Sequence, residues 1–281
     1  MSTIEYENYD STSVSYNETR TPIGLPIILE HLTSTPVALG DQTVLDAGCG
    51  TGNYLAELHG QIGSLHGVEF NAGMAQVARE RFADAPKVNI EQGSATELSC
   101  ADGQYDGVIC NQVLHHLDDG DDPDFPNVAT FFSEAFRVLR PGGVLIINSS
   151  GHDQHRDGFW WAALVPKAID RMLERMPTIE LLKENFLTTG FVDYEVVIPF
   201  DEVLQGEQYL DPSGPLSPAW RAGDSSWSLA TEEELAHALD EVGSRRADGS
   251  MAAFIDDREK LRAKLGQTTF LIARKPEEIC I

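Results

Sequence analysis

The chain has 281 residues with 20 basic and 45 acidic side chains, a formal charge of −25. At 42% hydrophobic and 23% charged residues it has the composition of a globular protein with a substantial core, neither disordered nor fibrous. A surface this acidic repels phosphate backbones and anionic lipid, which argues against nucleic-acid and membrane partners, and residues 1–130 alone carry −16 of the charge. Cys49, Cys100, Cys110 and Cys280 form no C-x-x-C pair, so neither a zinc site nor a disulfide framework is indicated. MSTIEYENYD has neither the basic start nor the apolar core of a signal peptide, and the longest apolar runs are too short to span a bilayer. A cytoplasmic protein is expected.

From residue 43 the pattern alternates between strand and helix. TVLDAG reads as a buried strand, and GNYLAELHG after it carries Tyr54, Leu55 and Leu58 at helical spacing. LHGVEF is a second strand, followed by a helix that Asn71 can cap, with Met74, Val77, Ala78 and Phe82 on one face. KVNIEQG and YDGVICNQV are further strands. VATFFSEAFRVLR reads as an amphipathic helix stopping at Pro141-Gly142-Gly143, before the strand VLIINSS. The stretch 159–189 is mainly helical with a break near Pro177, and Gly190 precedes the strand FVDYEVVIPF. Residues 201–218, rich in Gly and Pro, are irregular. Thr231 and Glu234 form a capping box, MAAFIDDREKLRAKL is a helix ending at Gly266, and QTTFLIARK is a last strand. The expected fold is α/β: a Rossmann-like, doubly wound, mostly parallel seven-stranded sheet, with a helical insertion before the last strand.

The most informative segment is VLDAGCGTGNYLAEL, a strand, an acid, three alternating glycines and a helix. Such a loop brings backbone close to a ligand and reads as a nucleoside site. The dinucleotide fingerprint is not met, since Asn53 stands where its third glycine belongs, and there is no G-K-[ST] for a triphosphate. Asp46 would also set a carboxylate against a pyrophosphate. A cofactor bearing an ammonium and a sulfonium, S-adenosylmethionine, tolerates that carboxylate and can gain from it. At the end of the second strand, Glu69 is placed to accept hydrogen bonds from ribose hydroxyls.

In LDAGCGTG, GVEF, GSATEL, YDGVICNQVLHHL and RVLRPGG, in that order, the chain resembles the class I S-adenosylmethionine-dependent methyltransferases, in particular the UbiE-like and type 11 small-molecule group, closely over residues 40–150. The resemblance implies that Asp46, Gly48, Cys49, Gly50 and Gly52 surround the methionine part of the cofactor. It places Glu69 at the ribose and Phe70, Asn71 and Met74 beside the adenosine. Gly93, Ser94 and Ala95 would face the adenine, with Ser94 replacing the family's usual acid, and Asn111, Gln112 and Val113 the sulfonium side. His115 and His116 are candidate general bases, needed only for a protonated nucleophile. Segment 1–24 would fold over the cofactor as a lid, with Tyr16 and Arg20 at the cofactor and Tyr9 at the substrate. A single domain is expected, with a core over 25–200, a substrate cap over 201–266 and the last strand over 267–275.

Trp160, Trp161, Trp227 and Arg221 are candidates to line the pocket of a small-molecule methyl acceptor, since aromatics mixed with a few charges suit an orienting site. The same tryptophans suit a packed helical cap. The acidic run Asp118, Asp119, Asp121, Asp122 and Asp124 lacks the glycine and terminal glutamate of a calcium loop and reads as solvated surface. The expected reaction is methyl transfer to a nitrogen, sulfur, oxygen or activated-carbon nucleophile. Methylation of a macromolecule is disfavoured by charge and by Asn111-Gln112-Val113-Leu114 in place of an N/D-P-P-[YF] motif, and a cofactor-binding regulator without transfer activity is the alternative from another class. An anionic acceptor would need Arg20, Arg156 or Arg221 to offset the acidic field.

Overall fold

The computed structural model describes residues 21–118, 120 and 122–277. By contact density the described residues divide into a sheet unit, within 24–149, 177–197 and 269–277, and a helical unit, 21–23, 150–176 and 198–268.

In the sheet unit seven strands, β1 Thr43–Ala47, β2 Ser64–Glu69, β3 Val88–Gln92, β4 Tyr105–Asn111, β5 Leu139–Ser149, β6 Val192–Val197 and β7 Thr269–Arg274, lie in the order β3-β2-β1-β4-β5-β7-β6. The pairs from β3 through β5 are parallel, and β7 runs antiparallel to both β5 and β6. This is the mostly parallel seven-stranded α/β sheet expected. The central strands are buried along almost their whole length because helices cover both faces of a parallel sheet, so they read as continuous apolar runs. One face packs Leu45, Val108, Leu145 and Leu271 against Phe131, Phe132 and Phe186 of helices 126–138 and 179–189. The other packs Val44, Ile109, Ile146 and Phe270 with Ile28, Leu32, Leu55 and Leu58.

The helix over 126–138 ends at Val138, but the next strand begins at once, at Leu139, so Pro141-Gly142-Gly143 lies inside β5. The pairing shows why: Leu139 faces Tyr105 and Val144 faces Gly107, so residues 140–143 are an excursion in the strand where proline's missing N–H breaks no ladder bond.

In the helical unit, residues 152–157, 166–173, 218–221, 232–248 and 251–265 are helical, joined by short 3-10 turns. The Thr231 and Glu234 capping box forms in both directions. The contacts divide the chain after Val197 and also set apart residues 150–176, which the sequence reading keeps with the core. Residues 159–176 bury Phe159, Trp160, Trp161, Ile169 and Met172 with Tyr209, Trp220, Trp227 and Val242, which assigns them to the helical unit. Among the described residues no helix is long and apolar enough to cross a membrane.

Candidate functional site

The candidate site is built at the carboxyl ends of the parallel strands, where an open α/β sheet leaves a crevice. β1 ends in Asp46 and Ala47, and the chain turns through Gly48, Cys49 and Gly50 into the helix over 53–58. The turn is held by the N–H groups of Gly48 and Cys49, which both donate to Val68 O at 2.7 and 3.1 Å. Gly48 has φ 85°, and a Cβ there would lie 2.4 Å from Val113 Cγ2, so only glycine fits without displacement. Gly50 also has a left-handed φ, 54°, but a Cβ there would meet nothing within 4 Å, so that bend faces open space.

Glu69 closes the loop from the neighbouring strand. Its Oε2 accepts from the Gly50 N–H at 2.9 Å and its Oε1 from the Asn71 N–H at 2.7 Å. Burial pushes its carboxyl up, and the N–H groups of Asn71, Gly50 and Phe70 pull it back down. Asn71 caps the helix over 72–81 by accepting the Met74 N–H at 2.9 Å, and the Met74 side chain is buried below it. Phe70, between Glu69 and Asn71, is 78% exposed.

Asp46 is 1% exposed and its Oδ1 has no hydrogen-bond partner. Burial, then the charge of Glu69, pushes its carboxyl up to about 8. Such a group is costly unless something arrives to satisfy it. A second orphan lies on the adjacent strand β4, two residues past Ile109, which pairs with Asp46: both amide atoms of Asn111 are buried without partners. Gln112 follows with φ 56°, a left-handed conformation uncommon outside glycine. It is held there by bonds from Gln112 N to Asn148 O at 2.8 Å and from Gln112 Nε2 to Asn148 Oδ1 at 3.2 Å. Asn148 Nδ2 in turn donates to Tyr54 Oη at 3.3 Å. Tyr54 and Asn148 were not singled out from sequence as site residues; the signal available was an asparagine in the last two positions of each of two adjacent strands, which the register places side by side as Asn111 and Asn148.

His115 and His116 lie in the 3-10 turn after Val113, ring centroids 4.0 Å apart, His115 half-buried and His116 exposed. Ser94 is engaged within its own turn, its Oγ 2.8 Å from Thr96 Oγ1 and accepting the Thr96 N–H. Ala95 is buried in the core, while Gly93 N donates to Glu69 O at 3.0 Å. Cys49 is buried and burial raises its thiol well above the usual range. Tyr9, Tyr16 and Arg20 lie outside the described residues, as do Asp119 and Asp121. Asp118 is a structural cap, accepting the N–H groups of Asn127 and Val128 at the start of the helix over 126–138. Among the described residues no group of His, Cys, Asp and Glu is arranged to hold a metal.

The structure thus brings Asp46, the glycine loop, Glu69 and Asn71 together around one bend. In the helical unit, Trp160 and Trp161 are 0% exposed, with their indole N–H groups spent on Tyr209 O at 2.6 Å and Gln205 Oε1 at 2.9 Å.

Residues 45–147 match the methyltransferase domain family. Over 215 residues the chain is 26% identical to a demethylmenaquinone methyltransferase of Lactococcus lactis, covering 67% of this chain and 82% of that protein. The chain is a class I S-adenosylmethionine-dependent methyltransferase. The fold of this methyltransferase is shared with a protein described as a methyltransferase of an antibiotic biosynthesis pathway from Anabaena variabilis, with TM-score 0.69, 23% identity, and 91% of this chain and 99% of that chain covered. It is also shared with the phosphoethanolamine N-methyltransferase 2 of Haemonchus contortus, solved with S-adenosyl-L-methionine, with TM-score 0.58, 19% identity, and 98% of this chain and 60% of that chain covered. The cofactor of this methyltransferase is S-adenosylmethionine.

Proposed function

We propose that the chain transfers a methyl group to a small-molecule nitrogen, sulfur, oxygen or activated-carbon nucleophile by in-line displacement, in the cytoplasm. The observation that carries the cofactor half of this reading is the buried, unpartnered Asp46 carboxylate beside a left-handed glycine bend facing open space. A cationic ligand draws the proton off this carboxyl and supplies the partner it lacks, whereas an anionic phosphate would leave it neutral and gain no charge pairing there. When bound, S-adenosylmethionine supplies an electrophilic methyl group on a sulfonium.

Asp46 and the orphaned Asn111 amide would hold the methionine end, the latter having both a donor and an acceptor free for an amino acid's ammonium and carboxylate. Glu69 spends one lone pair of each oxygen on the loop and keeps others for ribose hydroxyls. The exposed Phe70 ring supplies a stacking face for a base. Ser94 is turned into its own bend, so adenine recognition in this segment falls to backbone groups around Gly93, Ser94 and Ala95. Gln112 and Val113 would bound the methyl side, and His115 or His116 would take a proton where the nucleophile carries one. The chain's task is otherwise to align and to exclude water. The likeness to a demethylmenaquinone methyltransferase supports a small-molecule acceptor, and quinol-type activated carbons belong in the first test panel.

The test is a thermal-shift measurement with S-adenosylhomocysteine, followed by a screen of acceptor classes with methyl-labelled cofactor. A shift with NAD and none with S-adenosylhomocysteine would overturn the cofactor assignment. Binding without labelled product from any class would overturn the transfer reading in favour of a regulator.

A further inference from the structure

Gln112 stands at φ 56° in the turn after β4. Glycine enters this region freely and asparagine often, but a glutamine there is disfavoured by a factor of about 5 to 30 against right-handed backbone. The turn therefore needs something to hold it. Two bonds to one residue do so: the Gln112 N–H donates to Asn148 O at 2.8 Å, and Gln112 Nε2 to Asn148 Oδ1 at 3.2 Å. The first is a backbone bond, open to any residue at position 148. The second needs the asparagine side chain.

The neighbours of Gln112 make its conformation matter. Val113, the next residue, lies against the glycine bend, since a Cβ on Gly48 would come within 2.4 Å of Val113 Cγ2. Asn111, the residue before, carries the buried amide whose two atoms have no partner. A right-handed Gln112 would re-aim the chain as it leaves β4 and draw Val113 away from Gly48.

Asn148 also reaches the element on the far side of the bend. It is buried on β5 beside Asn111, and its Nδ2 donates to Tyr54 Oη at 3.3 Å. Tyr54 is the second residue of the helix over 53–58, into which the glycine loop leads. A single buried amide thus ties the turn after β4 to the helix after β1, its acceptor serving one and its donor the other. Of side chains this size, an aspartate would supply only the acceptor and a leucine neither.

We propose that Asn148 is a positioning residue for methyl transfer, acting through Gln112 and Tyr54 to hold Asn111 and Val113 beside the Gly48 bend in the arrangement that receives the cofactor. This role rests on the reading of that bend as the cofactor site. Without the Asn148 amide the unliganded protein spends part of its time with the turn in its right-handed form, and cofactor affinity falls by the fraction so lost.

The test measures S-adenosylhomocysteine affinity by calorimetry on the full chain, with circular dichroism confirming that each variant is folded. Asn148→Ala should weaken binding about three- to tenfold, the range of a lost buried hydrogen bond. Tyr54→Phe, which removes only the hydroxyl, should weaken it less, and should add less than about twofold in the Asn148→Ala chain. Rescue at position 112 separates positioning from packing. Gln112→Ala loses the side-chain bond and keeps the left-handed penalty, whereas Gln112→Gly loses both, so the glycine variant should bind at least about threefold tighter than the alanine variant. In the Gln112→Gly chain, Asn148→Ala should cost less than about twofold, because no strained residue is left to hold. A purely structural Asn148 would cost the same in both backgrounds. Equal losses in the two backgrounds, wild-type affinity in Asn148→Ala, or a glycine variant no tighter than the alanine variant would each overturn the proposal. If Asn148→Ala fails to fold, the comparison of glycine with alanine at 112 decides alone. No binding by the wild type would overturn the cofactor reading and this role with it, whereas wild-type binding with equal losses overturns this role only.

Discussion

The sheet unit and the helical unit place polar groups by opposite means. In the sheet unit the groups around Asp46 are positioned by backbone: left-handed bends at Gly48 and Gly50, N–H groups donating to Glu69 and to Val68 O, and a left-handed Gln112. In the helical unit they are positioned by large side chains, with three indoles and a tyrosine bonded to one another's loops. The first kind of site is damaged by adding atoms, the second by removing them. Substitutions in the two units should therefore fail in different ways.

The largest effect is expected in the helical unit. Trp160 is fully buried and its N–H is the partner of Tyr209 O, so Trp160→Ala leaves both a cavity and an orphaned carbonyl. The loss should be about 3–5 kcal/mol, read from urea unfolding. A loss below about 1 kcal/mol would mean that this aromatic cluster is not the packed core described.

Next comes Glu69, whose two oxygens hold the N–H groups of Gly50 and Asn71. Glu69→Ala should weaken S-adenosylhomocysteine binding by about 1.5–3 kcal/mol, roughly ten- to hundredfold, by calorimetry. Glu69→Gln, which keeps one acceptor oxygen, should fall between. Unchanged affinity in both would remove Glu69 from the site.

A smaller and more diagnostic effect is expected from adding one carbon to the loop. Gly48→Ala must take a left-handed conformation, costing about 1–2 kcal/mol, and drives its Cβ into Val113. Val113→Ala in the same chain should recover the collision but not the backbone cost, so rescue should be partial. Full rescue would show that the φ of Gly48 relaxes freely, and no rescue that the contact with Val113 is unimportant. Either result would weaken the contrast between the two units.

This contrast also explains what was legible in the sequence. Backbone devices leave local marks: alternating glycines, an acid at a strand end, Asn71 before a helix and Thr231 with Glu234 were each readable and each forms as expected. Side-chain devices depend on distant partners and leave none. Nothing near Trp160 or Trp161 announces that Tyr209 and Gln205, more than forty positions away, will take their N–H groups, nor that Trp227 will be left without one. The division of the chain was hidden for the same reason, because residues 150–176 join 198–268 through aromatic packing and not through sequence adjacency. At Pro141-Gly142-Gly143 the punctuation was read correctly as a break, but it interrupts the pairing of β5 and does not precede the strand.

The last expectation concerns pH and follows from Asp46 alone. In the folded, unliganded protein its carboxyl is pushed up to about 8, first by burial and then by Glu69, while in the unfolded chain it titrates near 3.8. Between these values the native state holds a proton that the unfolded state has released. This group's contribution to stability is therefore fully present below pH 4 and is lost as the pH rises through about 8. A cationic ligand reverses the preference, since it favours the ionised carboxylate and expels the proton on binding. Affinity for S-adenosylmethionine should accordingly rise with pH, by at most about tenfold per unit, and level off near pH 8. Asp46→Asn should flatten that dependence. S-adenosylhomocysteine separates the two charges involved, because it keeps the ammonium and lacks the sulfonium. A slope that persists with it assigns Asp46 to the ammonium, a slope seen only with S-adenosylmethionine assigns it to the sulfonium, and a flat profile with both would mean that Asp46 stays protonated throughout and serves the loop as a neutral group.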